Sequence, residues 1–265
     1  LSYAYDHEWI NKTIYQNAYV RTDSFFDNSP LSSSGLPSHA ELKLLNPWRD
    51  QIPSEVFTET FTPPKTDGSG NARKNLLQAK EILQEEGWII KNDKLTKDGE
   101  EFKFEFLIVS PSDEKIALAY QSNLKKLGIT MEVRTVDSSQ YQARLLNYDF
   151  DMIKRYWGVS LSPGNEQQFY WGSEVGKKDG SRNYPGINSP AVDALIEKLI
   201  SAKNREELTT AIHALDRVLL WGHYVVPLYH SNKDRIAYWD FFEYPEKIPL
   251  YGIVIESWWV NKDKQ

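Results

Sequence analysis

Side chains able to bind a small molecule are concentrated between positions 154 and 184. Aromatic rings offer faces for stacking, cationic groups suit a carboxylate or phosphate, and hydroxyl and amide groups suit peptide backbone groups. The candidate binding residues are Lys154, Arg155, Tyr156, Trp157, Ser160, Ser162, Asn165, Glu166, Arg182, Asn183 and Tyr184. Taken singly, each belongs more often to the surface or the core. Their concentration in one segment favours a binding site, in which Trp157 either stacks on a ligand or belongs to the core.

Residues suited to catalysis are scattered instead of grouped. Asp149 and Asp151 would face the same side of a strand, as a glycosidase pair requires, but one exposed and one structural Asp is the simpler interpretation. Residues 172–177 resemble a phosphate-binding loop but are one residue short and lack the Ser or Thr after the Lys. The five histidines show no metal-ligand spacing, and His213 with Asp216 is interpreted as a solvated or packed pair. We therefore expect no enzyme activity, no metal and no cofactor.

An alternation of strands and helices places the binding segment at one edge of a sheet. Apolar and polar side chains alternate over 102–108, and further strands are predicted over 129–136 and 150–157. Helices are predicted between them, from Asp113 to Gly128 and over 138–146. Short links of this kind are typical of right-handed crossovers in a parallel sheet. Because ligands bind beyond the carboxyl ends of parallel strands, the segment after the third strand is the predicted site.

Four further helices and three less regular regions complete the predicted organisation. The helices cover residues 6–18, 71–87, 190–200 and 206–221. Residues 22–67 are rich in Ser, Pro and Asn, and we expect a long irregular segment that is held down by its apolar side chains. Residues 225–229 are predicted as a buried strand or a crossing segment, and 236–260 as an extended aromatic tail.

The composition is that of a folded protein without a polyanion-binding surface. The 265 residues are 40% hydrophobic and 26% charged, with a net charge of −6 and both signs interspersed. Without a basic stripe, nucleic acid is not an expected partner, and no apolar run is long enough for membrane insertion. Cysteine is absent, which excludes disulfides and thiolate chemistry. Since the sequence starts at Leu1 without a signal peptide, we interpret it as a piece of a longer precursor.

Five segments, in order along the chain, resemble the peptide- and nickel-type extracellular solute-binding proteins of family 5. They are LSYAYDHEWINK from Leu1, LLQAKEILQEEGW from Leu76, NLKKLGITMEV from Asn123, YDFDM from Tyr148 followed by Trp157, and SPAVDALI from Ser189. The Yej-type oligopeptide-binding subgroup is similar at 160–166, 180–184, 215–219 and 258–259. The ordered set, which spans nearly the whole chain, is more specific than any one segment.

The resemblance implies an α/β fold, the C-terminal lobe of a type II periplasmic-binding-protein (Venus-flytrap) fold with a mixed, mostly parallel sheet flanked by helices. Residues 1–230 would form this lobe, with the irregular segment 22–67, and residues 231–265 would return to complete a missing N-terminal lobe. The implied function is the substrate-binding subunit of an ABC importer. It would close on oligopeptides or peptide-like solutes in the periplasm and deliver them to membrane permease subunits. A signal peptide is expected upstream.

The resemblance also identifies one departure from the family pattern. In the broader family the loop after this strand supplies an Asp that pairs with the ammonium group of the ligand, and Ser160 aligns with that Asp. A buried ammonium group left without its partner costs about 2–5 kcal/mol, and a hydroxyl cannot replace a carboxylate. Either another acid takes this role or the ligand presents no free ammonium there. We hypothesise that Glu166 takes the role.

Three other functions stay open from the sequence. The same fold, with many Trp and Tyr, also suits a muropeptide, an oligosaccharide or a metal complex. A carboxylate-dependent hydrolase would use Asp149 or Asp151 with a raised pKa beside a second carboxylate. A scaffold or chaperone-like interaction domain is compatible as well. Retention of a small ligand without turnover distinguishes a binding protein from the last two.

Overall fold

The computed structural model describes residues 1–249 and 252–264, so Leu250, Tyr251 and Gln265, which belong to the predicted tail and return segment, lie outside the described residues. The α-helices of the described part are α1 (His7–Thr13), α2 (His39–Leu45), α3 (Glu55–Thr58), α4 (Arg73–Glu85), α5 (Pro111–Lys126), α6 (Ser138–Leu146), α7 (Glu166–Trp171), α8 (Pro190–Ile200) and α9 (Arg205–Trp221). The strands are β1 (Val20–Arg21), β2 (Ile89–Lys91), β3 (Lys94–Lys97), β4 (Glu100–Glu101), β5 (Lys103–Ile108), β6 (Thr130–Thr135), β7 (Met152–Ile153), β8 (Tyr229–His230), β9 (Phe242–Glu243) and β10 (Trp259–Val260).

Strands β6, β5 and β7 form the parallel sheet that positions the candidate site. β5 lies between the other two, with Phe106 opposite Val133 of β6 and Met152 of β7. The predicted succession of strand, helix, strand, helix and strand is confirmed. The predicted length of the third strand, 150–157, is wrong because only Met152 and Ile153 pair with β5 and the chain then leaves the sheet.

The sheet is buried on both faces because side chains alternate along β5. Phe106 and Ile108 belong to a core that includes residues of α4 and α5. Leu107 points to the other face, where it packs with Tyr141 and Leu145 of α6. Burial of a large apolar side chain contributes about 1.5–3 kcal/mol, so these strands and helices hold the site at a defined edge of the sheet.

Local capping residues set the helix starts around the sheet. The side chains of Ser189 and Asp137 cap α8 and α6, which begin where the sequence predicts. Helix α5 begins at Pro111, two residues before the predicted Asp113, because Ser110 is its N-cap and Pro suits the first helical position.

Segment 22–67 is more regular than the sequence led us to expect. Helix α2 starts with a capping box in which the side chains of Ser38 and Glu41 each accept a hydrogen bond from the other residue's backbone N–H. Leu45 and Val56 are buried in the core formed with α8 and α9, which confirms the expectation that apolar side chains hold the segment down. The prediction of irregular structure throughout is wrong, since the Ser-x-x-Glu signal at 38–41 specifies a helix.

Two adjacent charged residues of α9 also bind this segment. Asp216, fully buried, accepts hydrogen bonds from the hydroxyls of Ser24 and Ser33, each at 2.7 Å. Arg217 donates to Glu41 Oε2 at 2.6 Å and to three backbone carbonyls of the segment. The buried charges of Asp216 and Arg217 are tolerated because both groups are hydrogen-bonded and Arg217 is also paired with Glu41.

The last part of the chain exposes apolar side chains. Strands β9 and β10 pair antiparallel, while Trp239, Ile248 and Ile255 are 73%, 65% and 71% exposed. Of the two predictions for 225–229, a crossing segment fits 225–228, and β8 begins only at Tyr229.

Candidate functional site

The candidate site begins where the chain leaves β7. Lys154 Nζ lies 2.5 Å from Asp113 Oδ1 and 3.0 Å from the hydroxyl of Tyr229. Burial would lower the pKa of Lys154, but the hydrogen bonds to Asp113 and Tyr229 raise it above its ordinary value. The ammonium charge is therefore retained and compensated within the protein.

A group of tyrosines extends the site beyond the residues that the sequence identified. The hydroxyls of Tyr15 and Tyr229 lie 2.6 Å apart, and the ring of Tyr19 lies 4.6 Å from that of Tyr229. Burial, followed by the hydrogen bond and charge of Tyr229, raises the pKa of the Tyr15 hydroxyl. Sequence reasoning missed these residues because more than 200 positions separate Tyr15 from Tyr229, and only the β1–β8 pairing brings them together.

Arg155 lies in a different environment from its neighbour Lys154. Its guanidinium carbon is 5.2 Å from the centroid of the Tyr184 ring, and the residue is half-buried. Such a cation–π contact stabilises and orients a guanidinium group. Arg155 forms no ion pair with a carboxylate in residues 1–249 or 252–264.

Trp157 packs at the margin of the core, and its stacking on a ligand stays a prediction. Its ring packs 4.9 Å from that of Trp171 and 6.4 Å from that of Phe25, at the margin of the core. The indole N–H of Trp157 is buried and has no hydrogen-bond partner in the described part of the chain. Tyr156 is 86% exposed. Trp157 is thus anchored in the core but keeps an unused donor, whereas Tyr156 offers a free ring.

The polar loop that follows is organised by its own side chains. Ser160 and Ser162 are exposed, and Ser160 Oγ accepts a hydrogen bond from the Ser162 N–H at 3.1 Å. Glu166 Oε1 and Oε2 lie 2.9 Å and 3.0 Å from the N–H of Gly164. A ligand ammonium group would compete with this backbone hydrogen bond, and the hypothesis that Glu166 binds such a group stays a prediction. Asn165 is exposed at the start of α7.

The second half of the segment contributes one exposed and one buried residue. Arg182 is exposed, whereas Asn183 is fully buried. The Asn183 amide donates to the carbonyls of Gly172 at 3.0 Å and Ile187 at 2.8 Å, and its oxygen accepts from the Ile187 N–H at 2.8 Å. Asn183 therefore joins two parts of the loop, and its polar atoms are directed to backbone groups instead of solvent.

The residues considered for catalysis have separate partners. Asp149 Oδ2 lies 2.8 Å from Arg144 Nε, while Asp151 Oδ2 accepts the backbone N–H of Glu105 at 2.8 Å. His213 Nε2 lies 3.3 Å from the carbonyl oxygen of Pro30, so it contacts segment 22–67 as a packed residue. Within residues 1–249 and 252–264, no three His, Asp or Glu side chains are placed to hold a metal.

A parallel sheet covered by helices, with aromatic and cationic groups beyond its carboxyl edge, is an α/β arrangement of the kind in which ligands bind at that edge. The sequence matches the bacterial extracellular solute-binding proteins, family 5 (middle region), over residues 1–179. The chain belongs to this family. Of its described helices, none is long and apolar enough to cross a membrane.

Several relatives match along almost all of this chain. It is 48% identical to the uncharacterized protein y4wM of Sinorhizobium fredii, over 98% of this chain and 40% of that protein. It is 42% identical to the probable peptide-binding protein YejA of Agrobacterium fabrum, over 99% and 43% of the two chains. Identity to the peptidoglycan-binding protein YepA of the same species is 41%, over 98% and 42%. The chain thus spans about two fifths of the length of these relatives.

The expected fold class is confirmed by a solved structure. The oligopeptide-binding protein AppA of Bacillus subtilis, in complex with a nonapeptide, matches with a TM-score of 0.67 over 98% of this chain and 46% of AppA. The two sequences are 21% identical, so this likeness concerns the fold. The fold is that of type II periplasmic binding proteins.

Proposed function

We propose that this chain is the C-terminal ligand-binding lobe of the substrate-binding subunit of an ABC importer, which captures oligopeptides or peptide-like solutes outside the cytoplasmic membrane. The observation that carries the proposal is family membership over residues 1–179, together with 42% identity to a probable peptide-binding protein. Residues 231–265 would return to complete a second lobe. Ligand would stabilise the closed form of the two lobes, and permease subunits would then receive the ligand.

The proposed ligand contacts lie beyond the carboxyl edge of the sheet. Tyr156 offers an exposed ring, and the half-buried Trp157 would contribute the accessible part of its ring. Ser160 and Ser162 offer exposed hydroxyls for backbone groups of a peptide. Lys154, already paired with Asp113, would act through its fixed position at the base of the site. No step of this function makes or breaks a covalent bond.

A second cargo, a muropeptide, is favoured by one specific observation. The chain is 41% identical to the peptidoglycan-binding protein YepA, nearly the same identity as to the peptide-binding relative. Exposed aromatic rings such as Tyr156 stack on sugar rings as readily as on peptide side chains. Peptide and muropeptide share a peptide portion, so both fit the same proposed contacts.

The test is mass spectrometry of the full-length protein that carries this sequence, purified from its native host. Native and denaturing spectra are compared, and the mass difference identifies a co-purified ligand. We expect release of molecules that fragment as peptides. Sugar-containing masses with a peptide portion would favour the muropeptide instead.

Two results would contradict the proposal. One is the absence of retained peptide or muropeptide, both from cells and after incubation with a mixture of synthetic peptides. The other is conversion of a bound peptide into products, which would support a hydrolase. A control with the Trp157→Ala variant reports whether retention depends on the proposed site.

A further inference from the structure

Lys154 contacts three other elements of the fold through its backbone and its side chain. Its carbonyl oxygen accepts a hydrogen bond from the Tyr141 hydroxyl of α6 at 3.1 Å. Its ammonium group lies 2.5 Å from Asp113 Oδ1 in the first turn of α5 and 3.0 Å from the Tyr229 hydroxyl of β8. Lys154 therefore joins the end of β7 to α5, α6 and β8.

The Tyr229 hydroxyl extends these contacts to the beginning of the chain. It lies 2.6 Å from the Tyr15 hydroxyl, and the two ring centroids are 4.9 Å apart. Tyr229 also stands opposite the buried Arg21 in the β1–β8 pair. Lys154, Asp113, Tyr229 and Tyr15 are named the Lys154 network below. The network connects residues up to 214 positions apart, so it belongs to the tertiary structure and not to one local motif.

The charge of Lys154 is compensated inside this network. The side chains of Lys154 and Asp113 are 28% and 16% exposed, so both are largely withdrawn from water. Burial alone would lower the pKa of Lys154, but the hydrogen bonds to Asp113 and Tyr229 raise it above its ordinary value. A ligand anion could bind Lys154 only at the expense of this pair, which leaves Asp113 partly buried without its cation. The arrangement favours a role of Lys154 within the protein.

The network lies between the proposed ligand contacts and the strand that leads out of the lobe. Tyr156, with its exposed ring, follows Lys154 by two positions, and the exposed hydroxyls of the next loop come after it. Strand β8 ends at His230, and residues 231–265 follow. In the proposed function these residues return to a second lobe, so the network connects the ligand-binding segment with the crossing between the lobes.

We infer that Lys154 is a positioning residue, which contacts no ligand itself but fixes the binding segment relative to β8 through Asp113 and Tyr229. The inference rests on the proposed function and deepens it, because it assigns the residue that holds the binding segment in place beside the crossing strand. A segment that is already ordered loses less conformational entropy when a ligand binds. Loss of the network should therefore weaken the binding of every ligand of the site by the same factor, whatever its charge.

The experiment measures the retention of synthetic peptides by the full-length protein. A defined pool of peptides contains each sequence as a free acid and as a C-terminal amide, and retained peptides are separated by gel filtration and quantified by mass spectrometry. Lys154→Met removes the charge but keeps a long side chain. We expect it to lower retention by about fivefold or more, equally for acids and amides. Lys154→Arg, which keeps the charge, should restore part of the retention.

Tyr229→Phe tests a second member of the network, because it removes one hydroxyl group and keeps the ring. We expect this variant to lower retention severalfold. Since the two residues act through one contact, the double variant Lys154→Met/Tyr229→Phe should retain no less than Lys154→Met within about twofold. Lys177→Met is the matched control, since the Lys177–Glu174 ion pair of 2.6 Å is exposed, and its loss should leave retention unchanged.

Hydrogen exchange gives a readout that needs no ligand. In ligand-free Lys154→Met we expect faster exchange of the backbone amides of residues 155–158 and of residues 228–231, although Lys154 and Tyr229 are 75 positions apart. The amides of α9 should keep their wild-type rates. A variant that is only less stable as a whole would instead exchange faster in α9 as well.

The contrary outcomes separate the inference from the proposed function. Loss of acid peptides alone in Lys154→Met would overturn the inference, because it would make Lys154 a ligand contact. Unchanged retention by Lys154→Met, unchanged exchange at 228–231, or losses that multiply in the double variant would overturn it too. If the wild-type protein retains no peptide, the proposed function fails, and the exchange rates alone then decide whether Lys154 fixes the segment to β8.

Discussion

At the scale of single residues, Asn183 is a polar side chain of the candidate binding segment that stabilises the backbone of its own loop. It is fully buried and makes three hydrogen bonds with the backbone of Gly172 and Ile187. A buried amide that satisfies backbone groups is expensive to remove, because those groups lose their partners in a place without water. Its position next to Arg182 and Tyr184 gives no sign of this role in the sequence.

Truncation of Asn183 should therefore lower stability more than it lowers the intrinsic affinity for ligand. We expect Asn183→Ala to reduce the free energy of unfolding by about 3 kcal/mol, as measured by urea denaturation. The neighbouring exposed control, Arg182→Ala, should change it by less than about 0.5 kcal/mol. Unchanged stability combined with lost peptide retention would instead assign Asn183 to the ligand.

At the scale of elements, the charged residues of α9 hold the long segment 22–67. Arg217 is 5% exposed and binds Glu41, the last member of the capping box of α2. Burial would raise the pKa of Glu41, but hydrogen bonds from His213 and Arg217 and the charge of Arg217 lower it to about 2. The segment is thus attached to α9 by an ion pair as well as by apolar packing.

This ion pair predicts a specific dependence of stability on pH. The pKa of Glu41 falls from 4.5 to about 2 on folding, so its contribution is complete above pH 4.5 and is lost as the pH falls towards 2. We expect Glu41→Gln to destabilise the protein at pH 7 by about 3–5 kcal/mol, because Arg217 stays buried without its partner. The difference from wild type should shrink between pH 4.5 and 2.

Thermal unfolding at a series of pH values checks this prediction. The exposed Glu59 lies in the same segment, and Glu59→Gln is the matched control with little effect at any pH. A constant difference between wild type and Glu41→Gln across the acid range would show that Glu41 stabilises the segment through contacts other than its charge.

At the scale of the whole molecule, the C-terminal tail exposes large apolar side chains to solvent. Trp239, Ile248 and Ile255 are each more than 60% exposed, although they are large and apolar. Large exposed apolar side chains concentrated in one segment are typical of a region that another part of a protein covers. The chain spans about two fifths of its relatives, and we propose that the tail packs with the remaining part of a chain of that length.

Because the chain has no cysteine, single introduced thiols report this packing directly. Ile255→Cys, at a position 71% exposed, should react quickly with a thiol reagent in the isolated chain. In the full-length protein we expect its reaction to be at least tenfold slower. The control, Leu77→Cys on α4, is 51% exposed and should react equally in both. Equal rates for Ile255→Cys in the two proteins would contradict the proposed return of the tail.

The sequence alone determined the order of elements around the sheet. Period-two alternation identified β5, and caps such as Asp137 and Ser189 placed the starts of α6 and α8, because these signals depend only on residues close together in the chain. The family was recognisable for a similar reason, since its segments keep their order along the chain. The same short-range sequence patterns placed the candidate site after the third strand.

Only the tertiary structure decided which polar side chains of the candidate site have a partner within the described part of the chain. Lys154 meets Asp113, Asn183 meets Gly172, and Arg155 meets a ring without an anion. The Tyr15–Tyr229 contact joins residues 214 positions apart. Such pairings depend on packing between distant elements, and a pattern of neighbouring residues carries no information about them. The chemistry of the side chains suggested the candidates, and long-range packing divided them into residues with partners in the described part of the chain and residues that stay candidates for ligand binding.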